Sequence, residues 1–214
     1  MMEYTNKYWN MIIPLMKKSL KKRYGKTYTK ELLRKSDEVY RDLLNRADDI
    51  GKDNPMASNA YEALLFFAVW KASAGKITVD DLRAIADDVL STPLLKVMGI
   101  MINANKPSGI KRIGDMMKRD AKWMEEHPQY KEISWDFNFD ENKHQDGFYY
   151  HFTQCPINTF ARREGFLEVL PVMCDIDHKT AALMHAKLHR EQTLATGGSV
   201  CDYWFVGDKV KNPK

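Results

Sequence analysis

The sequence predicts an α+β fold: an N-terminal helical lobe over residues 1–130, then a small antiparallel sheet with β-β-α-α-β-β order over residues 131–214. Two observations carry this expectation. Through the first 127 residues, apolar side chains recur at i, i+3, i+4 and i+7, the spacing of one helix face. From about residue 132 the period drops to two, the spacing of a half-buried strand. A length of 214 residues suits one compact unit, and 44% hydrophobic residues supply core enough to fold without disulfides or metal.

The elements follow in order. Trp9, Ile12, Ile13 and Met16 form the inward stripe of a first helix. Lys17, Lys18, Lys21, Lys22, Arg23, Lys26 and Lys30 follow it. Such a cluster suits either a polyanion partner or the solvated face of a helix end, and the second reading is favoured. A second helix is expected over residues 29–50, with Leu32, Leu33, Val39, Tyr40, Leu43, Leu44 and Ala47 inward and Gly51 as its stop. Asn59, with Glu62 three residues on, resembles a capping box that opens a helix over residues 60–74. That helix is apolar on nearly every side and belongs at the centre of the lobe. Thr78 with Asp81 opens another, and Thr92-Pro93 a short one. Ile110, Ile113, Met117, Ala121 and Met124 mark the last helix of the lobe, ending near His127-Pro128.

Trp135, Phe137 and Phe139 then alternate with polar residues, as do Phe148, Tyr150 and Phe152, which predicts a hairpin with its turn in residues 141–147. Residues 156–188 read as two helices split at Val172-Met173-Cys174-Asp175, with Asp177 as the N-cap of the second. Residues 187–195 and 200–206 flank Gly197-Gly198, a strong hairpin signal. A loop there sets Leu194 opposite Cys201, Gln192 opposite Tyr203 and Arg190 opposite Phe205. Cys201 and Arg190 then share one face, with Glu191, Thr193 and Asp202 on the other.

All three cysteines fall in this last third. Cys174-Asp175-Ile176-Asp177 places a thiol and two carboxylates within four residues, a set able to hold an amidine and attack its central carbon. Cys155-Pro156 closes a strand and opens a helix, where a thiol pKa is expected to fall. His151 projects on the same side of the strand, but roughly 13 Å from Cys155, too far for a direct pair. Arg190 beside aromatic residues suits a carboxylate. Each has a plainer reading: buried cysteine as a small hydrophobe, Asp177 as a helix cap, Arg190 as an ordinary ion-pair partner. A Cys₃His zinc site is disfavoured because no Cys-x-x-Cys pair is present, so neither metal nor cofactor is expected. The segment before Lys17 lacks a secretory pattern and no apolar run is long enough for a span, so cytoplasm, with no membrane or nucleic-acid partner, is the expectation. The N-terminal stripe and Trp204-Phe205 offer surfaces for a homo-oligomer.

Taken together, Cys155-Pro156, the run Leu170-Pro171-Val172-Met173-Cys174-Asp175-Ile176-Asp177, Arg190-x-Gln192-Thr193 and Gly197-Gly198-x-x-Cys201-Asp202-Tyr203-x-Phe205 resemble the L-2-amino-thiazoline-4-carboxylic acid hydrolase family over residues 148–206. Tyr203 departs from the phenylalanine expected there. The resemblance implies a hydrolase of the cyclic C–N (non-peptide) class that opens the thiazoline ring to N-carbamoyl-L-cysteine, a step in cysteine metabolism. It implies a small-molecule substrate bearing amidine and carboxylate groups. On that reading Cys174, Asp175, Cys155 and His151 are the catalytic candidates. Asp177, Arg190, Cys201 and Asp202 are the substrate-binding candidates, with Asp175 and Asp177 on the amidine and Arg190 on the carboxylate. A non-catalytic small-molecule-binding (sensor) domain is the alternative.

Overall fold

The computed structural model describes residues 1–92 and 102–214. Helix α1, Asn6–Tyr24, starts at Thr5, whose hydroxyl accepts from the Lys7 N–H. Its buried face is Tyr8, Ile12, Ile13, Met16, Ser19 and Leu20, so the lysines of the basic cluster are left exposed on the far side. Helix α2, Lys26–Arg46, buries Leu32, Leu33, Tyr40, Leu43 and Leu44, as the periodicity requires. It ends short of Gly51, because Ala47 leaves the helix in an extended conformation.

Helix α3, Ala57–Ala72, is buried along Leu64 to Val69 and lies at the centre of the helical part. The expected Asn59/Glu62 capping box does not form, since Asn59 lies inside the helix. Asn54 shapes the entry instead: its Oδ1 accepts from Met56 N at 2.9 Å and its Nδ2 donates to Ile50 O at 2.8 Å. Helix α4, Val79–Leu90, opens with the full Thr78/Asp81 capping box. The short helix expected at Thr92-Pro93 falls, from residue 93 on, outside the described residues. Helix α5, Pro107–Glu126, packs its Gly114 side on the Phe148 ring.

Four strands make one antiparallel sheet in the order β1-β2-β4-β3: β1 Asn138–Phe139, β2 Phe148–Phe152, β3 Ala186–His189 and β4 Cys201–Gly207. In the β2/β4 ladder Tyr150 pairs with Tyr203, His151 with Asp202 and Phe152 with Cys201. Directly paired residues share a face. The inner face therefore carries Tyr150, Phe152, Cys201, Tyr203 and Phe205, while Tyr149, His151, Asp202 and Trp204 lie on the outer one. His144, from the β1–β2 connection, stacks on Trp204 at 3.7 Å and covers part of the outer face. Gly147 ends that connection at φ +82°, where a Cβ would lie 2.1 Å from the Phe205 carbonyl oxygen.

Between the strand pairs lie α6, Pro156–Glu164, and α7, Leu170–Leu183. The expected split at residues 172–175 is corrected: the chain breaks at left-handed Gly165, and α7 runs unbroken through Cys174 and Asp177. Asp177 is thus a mid-helix residue, not an N-cap, and its low helix propensity is offset by bonds to two side chains described below.

The second hairpin is also corrected. Leu188, not Arg190, stands opposite Phe205, and the strand stops at His189. Residues beyond it give up the ladder because the Asp202 carboxylate accepts from Glu191 N at 2.9 Å and Gln192 N at 2.8 Å. A 3₁₀ turn, Leu194–Thr196, follows, so Gly197-Gly198 closes a longer loop and not a two-residue turn. The shift is by two residues, which preserves the side-chain parity. One continuous set of buried apolar contacts runs from Met2 in the helical part to Phe205 in the sheet.

Candidate functional site

Arg190 leaves β3 and turns back over the inner face, where its guanidinium lies 4.1 Å above the Tyr203 ring. Its side chain is 5% exposed. Three protein acceptors hold it: Asp202 O takes Nε at 3.1 Å, Cys174 O takes Nη1 at 3.0 Å and Asp177 Oδ2 takes Nη2 at 2.8 Å. The same Oδ2 accepts from the Tyr203 hydroxyl at 3.0 Å. Tyr203 in turn stacks on Tyr150 at 4.8 Å with 7° between planes. Asp177 is still 36% exposed, and among the described residues no bond is made to its Oδ1.

Cys174 and Cys201 feel the charges of this pair, and Cys155 feels the other two thiols. Burial raises the Cys174 pKa first, the Asp177 charge and the other two thiols add to it, and Arg190 opposes. Burial also raises Cys201, against the Leu194 N–H, which donates to its sulfur at 3.2 Å. Cys155 does stand at the head of a helix, but burial pushes its thiol up to about 12. The N–H groups of Asn158 and Ile157 and the Trp135 side chain counter that only in part. The lowered pKa expected at this position is therefore corrected: desolvation outweighs the helix terminus.

Other candidates lie elsewhere. Asp175, one step around α7 from Cys174, is 53% exposed and accepts from Arg83 of α4 at 3.3 Å. His151 is on the outer face, across from Asp202, with a buried Nδ1 that has no partner among the described residues. Asp202 is itself buried, and its carboxylate is spent on the two backbone N–H groups of the β3 exit. The structure thus brings together Cys155, Cys174, Cys201, Asp177 and Arg190, and leaves Asp175, His151 and the Asp202 carboxylate outside that group. A role for Arg190 in holding a substrate carboxylate would have to share the guanidinium with three protein acceptors.

Sequence reasoning missed Tyr203 and Tyr150 as parts of this centre. The signal was present in their alternation, since both fall on the inward parity of their strands, but only the cross-strand register makes them neighbours. Among the described residues no group of three or more His, Cys, Asp or Glu is arranged to hold a metal ion. No helix there is long and apolar enough to cross a membrane.

Fold and centre define a class: an α+β protein in which one buried and two half-buried thiols lie near a carboxylate–guanidinium pair at the junction of sheet and helix. The chain belongs to the L-2-amino-thiazoline-4-carboxylic acid hydrolase family, whose model matches residues 58–205 and so spans every residue of that centre. No curated protein and no solved structure matches the chain.

Proposed function

We propose that the protein hydrolyses a cyclic, amidine-like amino-acid derivative, with L-2-amino-thiazoline-4-carboxylate as reference substrate and N-carbamoyl-L-cysteine as product. The observation that carries the reading is the placement of two groups about one turn apart on α7: the Cys174 thiol and, three residues on, the Asp177 carboxylate, partly exposed with Oδ1 open.

That product keeps both nitrogens on the former ring carbon, so the bond that breaks is the ring carbon–sulfur bond and not the carbon–nitrogen bond of the class expected from the sequence. Asp177 Oδ1 meets an N–H of the amidine and accepts the thiol proton as Cys174 sulfur adds to the carbon between sulfur and the two nitrogens. The ring carbon–sulfur bond breaks and the ring sulfur leaves with a proton as the cysteine thiol of the product. Water then adds to the same carbon, and Cys174 departs with its proton restored, leaving the urea oxygen. One water is consumed overall. Cys155 and Cys201 line the centre in this reading, and residues 1–130 support a site carried by residues 131–214. Three free thiols suit a reducing compartment, and we place the reaction in the cytoplasm, in cysteine metabolism.

A second reading has one observation in its favour. All three thiols are raised in pKa, which suits a resting, unreactive pocket and hence a non-catalytic binding domain. Incubation with the thiazoline in ¹⁸O-water separates the two. Hydrolysis puts one label in the carbamoyl group and releases one thiol per turnover, whereas binding without product establishes the sensor. Within the catalytic reading, Cys174→Ala and Asp177→Asn should each lose at least about a hundredfold in turnover, and Asp175→Asn clearly less. Full turnover by Cys174→Ala would remove the thiol route.

A further inference from the structure

We propose that Tyr203 is a positioning residue that saturates one oxygen of the Asp177 carboxylate and leaves Oδ1 as the single acceptor for a substrate amidine. The inference rests on the reading above, in which Asp177 meets the amidine. A carboxylate oxygen offers about two lone-pair sites. On Oδ2 one is taken by Arg190 Nη2 at 2.8 Å and the other by the Tyr203 hydroxyl at 3.0 Å. Oδ1 is the oxygen left open, so a ligand meets one acceptor and not a fork.

The arrangement is stiff. The Tyr203 ring is held between the Tyr150 ring at 4.8 Å and the Arg190 guanidinium at 4.1 Å, so its hydroxyl cannot swing away from Asp177 without breaking both contacts. Burial, and then the neighbouring Asp177 charge, hold the phenol well above its ordinary pKa, so the hydroxyl remains a donor. An open-chain amidinium binds a carboxylate best through two parallel N–H bonds, one to each oxygen. Saturation of Oδ2 denies it the second. A protonated 2-amino-thiazoline presents the same fork through its ring and exocyclic N–H groups, so it too is confined to Oδ1.

Tyr203→Phe tests this, since it keeps the ring and its two stacking contacts while deleting the hydroxyl. Losing one hydrogen bond to a charged group should raise KM for the thiazoline about tenfold with kcat changed less than about threefold. Inhibition by S-methylisothiourea, an open-chain analogue with the same fork, should weaken by a similar factor. In an Asp177→Asn background the hydroxyl has no carboxylate to orient, so binding of S-methylisothiourea should be the same with and without it. Unchanged KM and unchanged isothiourea inhibition in Tyr203→Phe would overturn the inference, as would equal effects with and without the Asp177 carboxylate. Wild-type turnover in Asp177→Asn would instead overturn the underlying reading of the site.

Discussion

Arg190 and Asp177 form an ion pair across 2.8 Å in which the guanidinium is nearly sealed from solvent and the carboxylate is not. The asymmetry divides their duties: the arginine serves the protein and the aspartate faces outward. Arg190→Met takes the arginine donor from the Cys174 and Asp202 carbonyls and from Asp177, which keeps only Tyr203. Loss of one member of a buried pair costs about 3–5 kcal/mol, and the open side of Asp177 puts this case near the lower limit. Thermal unfolding should fall by roughly 6–12 °C for a chain of this size. Arg190→Lys should recover less than half of that, because an ammonium cannot span three acceptors on separate elements. Recovery to the wild-type midpoint would show that charge alone, without the fork, sustains the site.

The thiols predict an alkaline limit. In the folded protein Cys155 is pushed up to about 12 from an ordinary 9.0, and Cys174 and Cys201 are raised as well. The unfolded chain therefore releases these protons first. The stability is fully present below pH 9, and it is lost as pH climbs from there through about 12. Tyrosines raised by burial from an ordinary 10.0 add to the loss between pH 9 and 10, so the thiol share is read from the difference between wild type and Cys155→Ala. Denaturant titrations at pH 8, 9 and 10 (all about 25 °C) should show stability falling across that interval, with a shallower slope in Cys155→Ala. At pH 7 iodoacetamide should label the native protein far more slowly than the unfolded one; fast labelling of Cys174 in the native state would contradict its raised pKa.

Tyr40 is fully buried, and its hydroxyl has no partner among the described residues. Its ring meets Tyr4 and Trp9, so the shape is used while the polar atom is not. Removing an unsatisfied buried hydroxyl recovers about 1 kcal/mol. Tyr40→Phe should raise the unfolding midpoint by about 2–4 °C. A lower midpoint would mean that the hydroxyl is satisfied in solution.

How much of this was legible in the sequence differs by element. The stripe of α2, the all-round burial of α3, the Thr78/Asp81 cap and the β-β-α-α-β-β chain order follow from periodicity and local side-chain chemistry, which act within a few residues. The failures share a cause, which is competition from distant partners. Gly197-Gly198 signals a tight hairpin, yet Asp202 captures the backbone at Glu191 and Gln192 and ends β3 early. Asp177 signals a helix start, yet Arg190 and Tyr203 hold it inside one. At the site, the cysteines and Asp177 could be named from their proximity in sequence. That Asp175 would turn to Arg83, and His151 to the other side of the sheet, depends on helix phase and strand parity together.

Arg190 joins the exit of β3, the backbone of β4 and two residues of α7, so no single segment of chain contains a working centre. The centre exists only after the last strand has closed the sheet and α7 has docked on it. Turnover, or binding in its place, is then a readout of completed assembly: a chain interrupted within residues 190–200 would keep much of its helical signal and lose its chemistry.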